Sequence, residues 1–221
     1  MELEGSYFSP IFFWLIAMIS LLSLGTAIWL APWRRLRQKE QLHVFLGSCV
    51  ALMVLWSIRT PVYDGIEFHL LILTTLTLMF GWALSVFAGA LVLAGVTLAG
   101  ISDFQGLMIN LFTVVVLPVT FTQIALLVVR YWLPRHFFIY IYLNAFLAGG
   151  LAILLSSFSA TLLMAMAGPA TFEMMWDTYL TYFPLMFFPE AVLNGWFVTL
   201  LVSYKPQWVW SFRDSDYLQG K

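Results

Sequence analysis

Apolar runs separated by short polar stretches set out the plan of this chain. Seven can be marked: Pro10–Ala31, Leu42–Ile58, Phe68–Phe80, Ala83–Ala99, Leu107–Arg130, Phe137–Ala167 and Tyr182–Tyr204. A hydrocarbon core of ~30 Å needs ~20 helical residues, and most of the runs reach or approach that length. The third and fourth are short, so they are expected to tilt, to borrow residues from their flanks or to be partly re-entrant. The pattern predicts an all-α membrane protein, with residues 1–221 as a single polytopic domain built from one bundle of about seven transmembrane helices. Residues 1–9 then form an outer N-terminal segment and 205–221 a short cytoplasmic tail, while Trp176–Tyr182 is an outer connection. No internal repeat is evident, which weighs against a transporter built from inverted halves.

Charge orients the bundle. With the N-terminus outside, Arg34, Arg35, Arg37 and Lys39 fall inside after the first run. Arg130 and Arg135 fall inside after the fifth, and Lys205, Arg213 and Lys221 after the seventh. That is nine of the ten basic residues, with Arg59 alone outside; the positive-inside rule therefore predicts N-terminus outside and C-terminus inside. The outer side carries Glu2, Glu4, Asp64, Glu67, Asp103, Glu173 and Asp177, and Glu190 lies within the last run.

Composition fits a lipid bilayer as the surroundings. The chain is 62% hydrophobic and 10% charged, where a soluble domain is about one quarter charged. Its net charge of −1 gives no footprint for nucleic acid. Trp33, Trp132, Tyr204, Trp208 and Trp210 lie at inner boundaries, where half-wet rings are favoured. Cys49 is the single cysteine, so no internal disulfide exists. The first run lacks a basic segment ahead of it and is followed by Arg34–Arg37, a stop-transfer cluster and not a signal-peptide flank. The expected location is a bacterial inner (plasma) membrane, multi-pass.

Enzymatic patterns are missing. There is no Gly-x4-Gly-Lys-Ser/Thr loop, no His-Glu-x-x-His, no paired cysteines and no Gly-x-Ser-x-Gly. No catalytic residue and no organic cofactor are expected, and any ATP-driven step would need separate ATPase subunits.

The remaining chemistry is mostly on the outer side. Arg59–His69 contains Pro61 and Gly65 between two apolar runs, so it reads as a turn. It places Asp64, Glu67 and His69 within six residues. A neutral imidazole is a common transition-metal ligand; the plainer reading makes the carboxylates solvated loop charges and His69 a helix cap. The acidic terminus Met1-Glu2-Leu3-Glu4-Gly5 offers an amine and carboxylates, or else simply frays. Glu190, after Pro189, is an ionisable residue within an apolar run and so a functional candidate or a buried interhelical bond. Asp103 and Asn110 share that ambiguity, with interhelical bonding favoured. Gly81, Ser85 and Gly89 fall four apart, a face for close helix packing.

Glu4-Gly5, then Pro61…Gly65…His69-Leu70, then Ser102-Asp103…Leu107…Asn110, then Pro189-Glu190-Ala191…Gly195 occur in a recognisable order. Together they resemble the cobalt/nickel permease family, the substrate-capture membrane subunits of energy-coupling-factor ABC transporters. Leu133-Pro-Arg-His-Phe-Phe-Ile-Tyr and Tyr204-Lys-Pro-Gln-Trp resemble a divergent proteobacterial branch known as predicted membrane proteins. The resemblance implies capture of cobalt or nickel outside and partnership with a coupling membrane subunit and ATPase subunits. It implies metal ligands at the terminal amine of Met1, at the second position, and at His69. The family has His at the second position and this chain has Glu2, a harder ligand that lessens the preference for nickel or cobalt.

Three functions follow. A metal-ion permease subunit fits the acidic outer face and His69. A non-transport membrane protein, such as a metal-delivery or assembly factor for a membrane complex, fits a retained scaffold with an altered site. An intramembrane enzyme using Glu190, His69 or Asp103 ranks last. If a metal binds, His69 is expected to be the indispensable side-chain ligand, with the Met1 amine and a carboxylate from Glu2, Asp64 or Glu67 completing the shell. His43 and His136 sit at the inner ends of their runs. Residues 1–9 are expected to fold against the helix ends near His69, anchored by Tyr7 and Phe8.

Overall fold

The apolar runs become helices, with one informative exception. The computed structural model describes residues 2–63, 66–167 and 171–217. Helix α1 spans Pro10–Leu30, α2 Lys39–Trp56, α3 Leu73–Phe80, α4 Trp82–Leu98, α5 Leu107–Trp132, α6 Phe137–Ala167, α7 Phe172–Thr178 and α8 Phe183–Tyr204. Among the described residues, α1, α5, α6 and the segment Phe172–Tyr204 are long and apolar enough to cross a membrane. Helix α1 starts on Pro10, whose fixed φ suits a first turn and whose missing N–H costs nothing there. It is apolar all round, and Ile11, Trp14, Leu22 and Trp29 are exposed on it, as befits a helix facing hydrocarbon. Helices α5 and α6 carry π-helical stretches at Leu111–Val116 and Tyr140–Leu147.

The exception is the third run. Helix α3 has only eight residues, all of them buried, and packs against α4, α5, α6 and α8 at the centre of the bundle. The chain enters it with no helix from His69 to Ile72, the last in the left-handed region at φ 51°. Four such residues at ~3.3 Å and eight helical ones at ~1.5 Å cover roughly 25 Å. The stretch is at most that long, partly unwound, and its buried helix lies at the centre of the bundle. Hydropathy marks it as apolar but does not register the change of backbone.

A small sheet also interrupts the all-α expectation. Strands β1 (Glu2–Leu3), β2 (Thr60–Tyr63) and β3 (Ile66–Phe68) form an antiparallel sheet in the order β1-β3-β2. Glu2 faces Glu67 and Leu3 faces Ile66, and a bulge lies between Pro61 and Tyr63. The N-terminal segment is thus a strand of the fold. The small-residue face of α4 packs within the chain: a Cβ on Gly89 would come 2.5 Å from Val115.

Candidate functional site

Four anchors hold the N-terminal segment and the His69 segment together. Asn110 on α5 pairs with Leu3 as a neighbouring strand would: its side-chain oxygen accepts from Leu3 N at 2.7 Å and its amide donates to Leu3 O at 3.0 Å. One oxygen of Asp103 accepts from Gly5 N and from Gly106 N, each at 2.8 Å. Gly5 is required there, since a Cβ would collide with the Gln105 backbone. On the other strand of the site, Glu190 accepts from Leu71 N at 2.8 Å and Ile72 N at 2.6 Å. Asn194 donates to Glu190 at 2.9 Å and accepts from Thr75 N at 2.8 Å. These groups satisfy amides at the unwound start of α3 that no helix turn serves. The sequence candidates Glu190, Asp103 and Asn110 therefore touch the backbone that positions the site.

Glu2 and His69 meet at the centre. Both are buried, at 5% and 1% exposure, and His69 Nε2 lies 3.3 Å from Glu2 Oε1. His69 Nδ1 lies 3.1 Å from the Leu70 carbonyl, which can only accept, so Nδ1 carries the proton. Nε2 has no aligned hydrogen-bond partner among the described residues. Trp56 packs on the imidazole with ring centroids 4.9 Å apart and donates to Leu71 O at 3.2 Å, fixing the ring's plane.

Glu2 has further partners. Arg59 reaches both of its oxygens, at 2.5 and 3.0 Å, and reaches Glu67 at 3.1 Å. Ser102 donates a short hydrogen bond to Glu2. Burial by itself would raise the Glu2 pKa, but His69 and Arg59 beside it outweigh that and hold the carboxyl down to about 2. A recess of about 390 Å³ opens beside this cluster, lined by Glu2, Glu4, Arg59, Glu67, Ser102 and Asp103 among others.

The structure thus brings together Glu2, Glu67 and His69, while Met1 and Asp64 lie outside the described residues. Among the described residues no cluster of three or more His, Cys, Asp or Glu side chains has the spacing of a complete metal site. Arg59 and Ser102 were not singled out from the sequence. Arg59 carried one usable signal, as the only basic residue on the acidic side; Ser102 carried none beyond its place before Asp103.

Can the pair Glu2–His69 take a metal? Two ligands each ~2.1 Å from one ion sit about 3 Å apart, as these two atoms do. A ligating His also commonly donates its other ring N–H to a backbone carbonyl, as Nδ1 does here. The donor pair fits a cation.

Comparison with known proteins places the fold and the family. No curated protein sequence matches the chain significantly. Two solved structures do resemble it, described as a transition metal transporter and as a truncated transition metal transporter. Each is 15% identical with a TM-score of 0.76; the alignments cover 92% of this chain and 93% or 99% of theirs, respectively. A family profile, cobalt uptake substrate-specific transmembrane region, matches residues 3–208. The chain belongs to that family, and is a substrate-binding membrane component of metal uptake.

Proposed function

We propose that the protein captures a divalent transition metal ion, of the cobalt or nickel class, at the outer end of a seven-crossing bundle in the bacterial inner membrane. His69 Nε2 and Glu2 are its first ligands, and Glu67, Asp64 and the Met1 amine are the candidates to complete the shell. The ion then passes on with the help of a separate coupling membrane subunit and ATPase subunits. The observation that carries the reading is the buried Glu2–His69 pair, in which Nε2 has no aligned hydrogen bond and stands 3.3 Å from a carboxylate oxygen. A single imidazole with carboxylates is a mixed site that accepts several first-row ions.

The topology has two supports. The nine-to-one split of Lys and Arg favours the N-terminus outside. Residues flanking the basic clusters also meet at the end away from His69: Gln41 bonds Gln207, Trp208 bonds Glu40 at 2.7 Å, and Arg130 bonds Ser211. With residues 69–80 counted as a crossing, α1, α2, α4, α5, α6 and α8 bring the total to seven.

Metal analysis and cobalt titration of the purified protein test this. His69→Ala should lose the bound ion, and His43→Ala should keep it. Loss in His43→Ala with retention in His69→Ala would reject both the site and the orientation.

A further inference from the structure

We infer that Arg59 is a tethered competitor for the imported ion, and that it sets which cations can bind. The inference rests on the metal-capture reading above and adds a residue that sequence reasoning passed over.

The Arg59 guanidinium already occupies the carboxylate a metal would use. Its two terminal nitrogens contact both oxygens of Glu2, at 2.5 and 3.0 Å, and one of them also meets Glu67 at 3.1 Å. Nε donates to the Trp56 carbonyl at 2.6 Å, so the head group is held at the end of α2. The Arg59 side chain is 7% exposed and that of Glu2 4%, so this is a buried ion pair. Position adds to the case. Glu2 and Arg59 line the outer recess, and His69 is absent from its lining. The pair therefore stands between the recess and the imidazole, and Glu2 Oε1 is shared between Arg59 at 3.0 Å and His69 Nε2 at 3.3 Å.

A cation arriving from the recess must take Glu2 from the guanidinium. What it gains in exchange depends on its chemistry. A borderline transition-metal ion gains the carboxylate and also the imidazole nitrogen. Magnesium or calcium prefers oxygen ligands and gains little from imidazole. The guanidinium thus raises the threshold for every cation, and only an ion that bonds nitrogen clears it. The ratio of affinities is still set by the ligands; the common threshold decides which ion binds tightly enough to be held at all. Between captures the same contact keeps the buried Glu2 charge neutralised.

The test uses the full-length purified protein, titrated with cobalt and with magnesium, as wild type, Arg59→Gln, Arg59→Lys, His69→Ala and the double variant Arg59→Gln/His69→Ala. Arg59→Gln should bind cobalt at least about tenfold more tightly, because a positive charge within contact of the ion's ligand is gone. Magnesium should gain by a similar factor from a weaker starting affinity, so that its binding becomes measurable where the wild type shows none. Arg59→Lys, which keeps the charge without the two-point contact, should move both quantities the same way by less; it also serves if the Gln variant folds poorly. The double variant should lose cobalt while keeping the magnesium gain. If cobalt and magnesium affinities are both unchanged in the Arg59 variants, while His69→Ala still abolishes cobalt binding, the competitor role is wrong and the metal site stands. Cobalt binding indifferent to His69 in both backgrounds would overturn the metal site and this inference with it.

Discussion

The two ends of α3 are both tied down by distant parts of the chain, but with different chemistry. At its start, Glu190 and Asn194 hold the unwound backbone, and beyond it stand three charged side chains and an imidazole nitrogen without an aligned partner. At its end donors from elsewhere in the chain close on the last carbonyls, and Arg35 donates to Met79 O at 3.2 Å. Ser211 N and Oγ donate to Leu78 O at 3.1 and 2.8 Å, and Trp210 N donates to Met79 O at 3.0 Å. Tyr140 shares a 2.6 Å bond with Ser211, and Arg130 donates to the Ser211 carbonyl. The second end has the character of a structural clasp, with backbone, hydroxyl and guanidinium donors closing on the last carbonyls of α3. The first end keeps one donor atom, His69 Nε2, without an aligned bond beside the Glu2 carboxylate.

That contrast can be broken most severely at Glu2. Glu2→Ala leaves the buried Arg59 without its main partner and removes a proposed metal ligand. It should cost about 3–5 kcal/mol of stability and abolish cobalt binding, read by thermal unfolding in detergent and by titration. Asn110→Ala comes next. It frees both backbone groups of Leu3, a loss of about 2 kcal/mol, and loosens β1 so that cobalt binds about tenfold more weakly. Ser211→Ala sharpens the comparison from the other end: about 1–2 kcal/mol lower stability with cobalt affinity unchanged. A shift in cobalt affinity equal to that of Asn110→Ala would mean the two ends are not distinct in function.

Acid gives the smallest effect near neutrality. The Glu2 carboxyl is held down from 4.5 to about 2 in the folded protein. A lowered folded-state value means its contribution is fully present above about pH 4.5 and is lost as pH falls toward 2. Unfolding of metal-free protein followed from pH 7 to pH 3 should show a flat upper range and then a decline, and Glu2→Gln should flatten the part due to this group.

Much of the scaffold was legible because hydrocarbon imposes a length and a charge bias that hydropathy reads directly. The runs at Pro10–Ala31, Leu107–Arg130 and Phe137–Ala167 match α1, α5 and α6 within about two residues. The third run was legible only as apolar. Residues 70–72 are as apolar as a helix, but they are non-helical, and this start of α3 is served by Glu190 and Asn194 from more than a hundred residues away, a pairing no local pattern reveals. Strand β1 has two residues, too few to show a period of two. The ordered motifs lead to the expectation that residues 1–9 fold near His69, and Glu2 lies 3.3 Å from its ring nitrogen. Arg59 escaped notice because charge counting treats a loop arginine as solvated, whereas here it is buried against two carboxylates.

The burial of α3 has a consequence for synthesis. The groups that satisfy its first amides lie on Glu190 and Asn194, and those that donate to its last carbonyls lie on Trp210, Ser211 and Arg35. All of these except Arg35 leave the ribosome more than a hundred residues after α3 does. Until then the segment has no place in lipid that serves its unwound backbone. On the proposed seven-crossing topology this segment waits, at the membrane surface or inside the insertion machinery, and is drawn into the bundle only when the last helix and the residues after it arrive. A nascent chain arrested before Phe183 should carry this segment accessible to water-soluble labels, and one arrested after Ser211 should have it sealed.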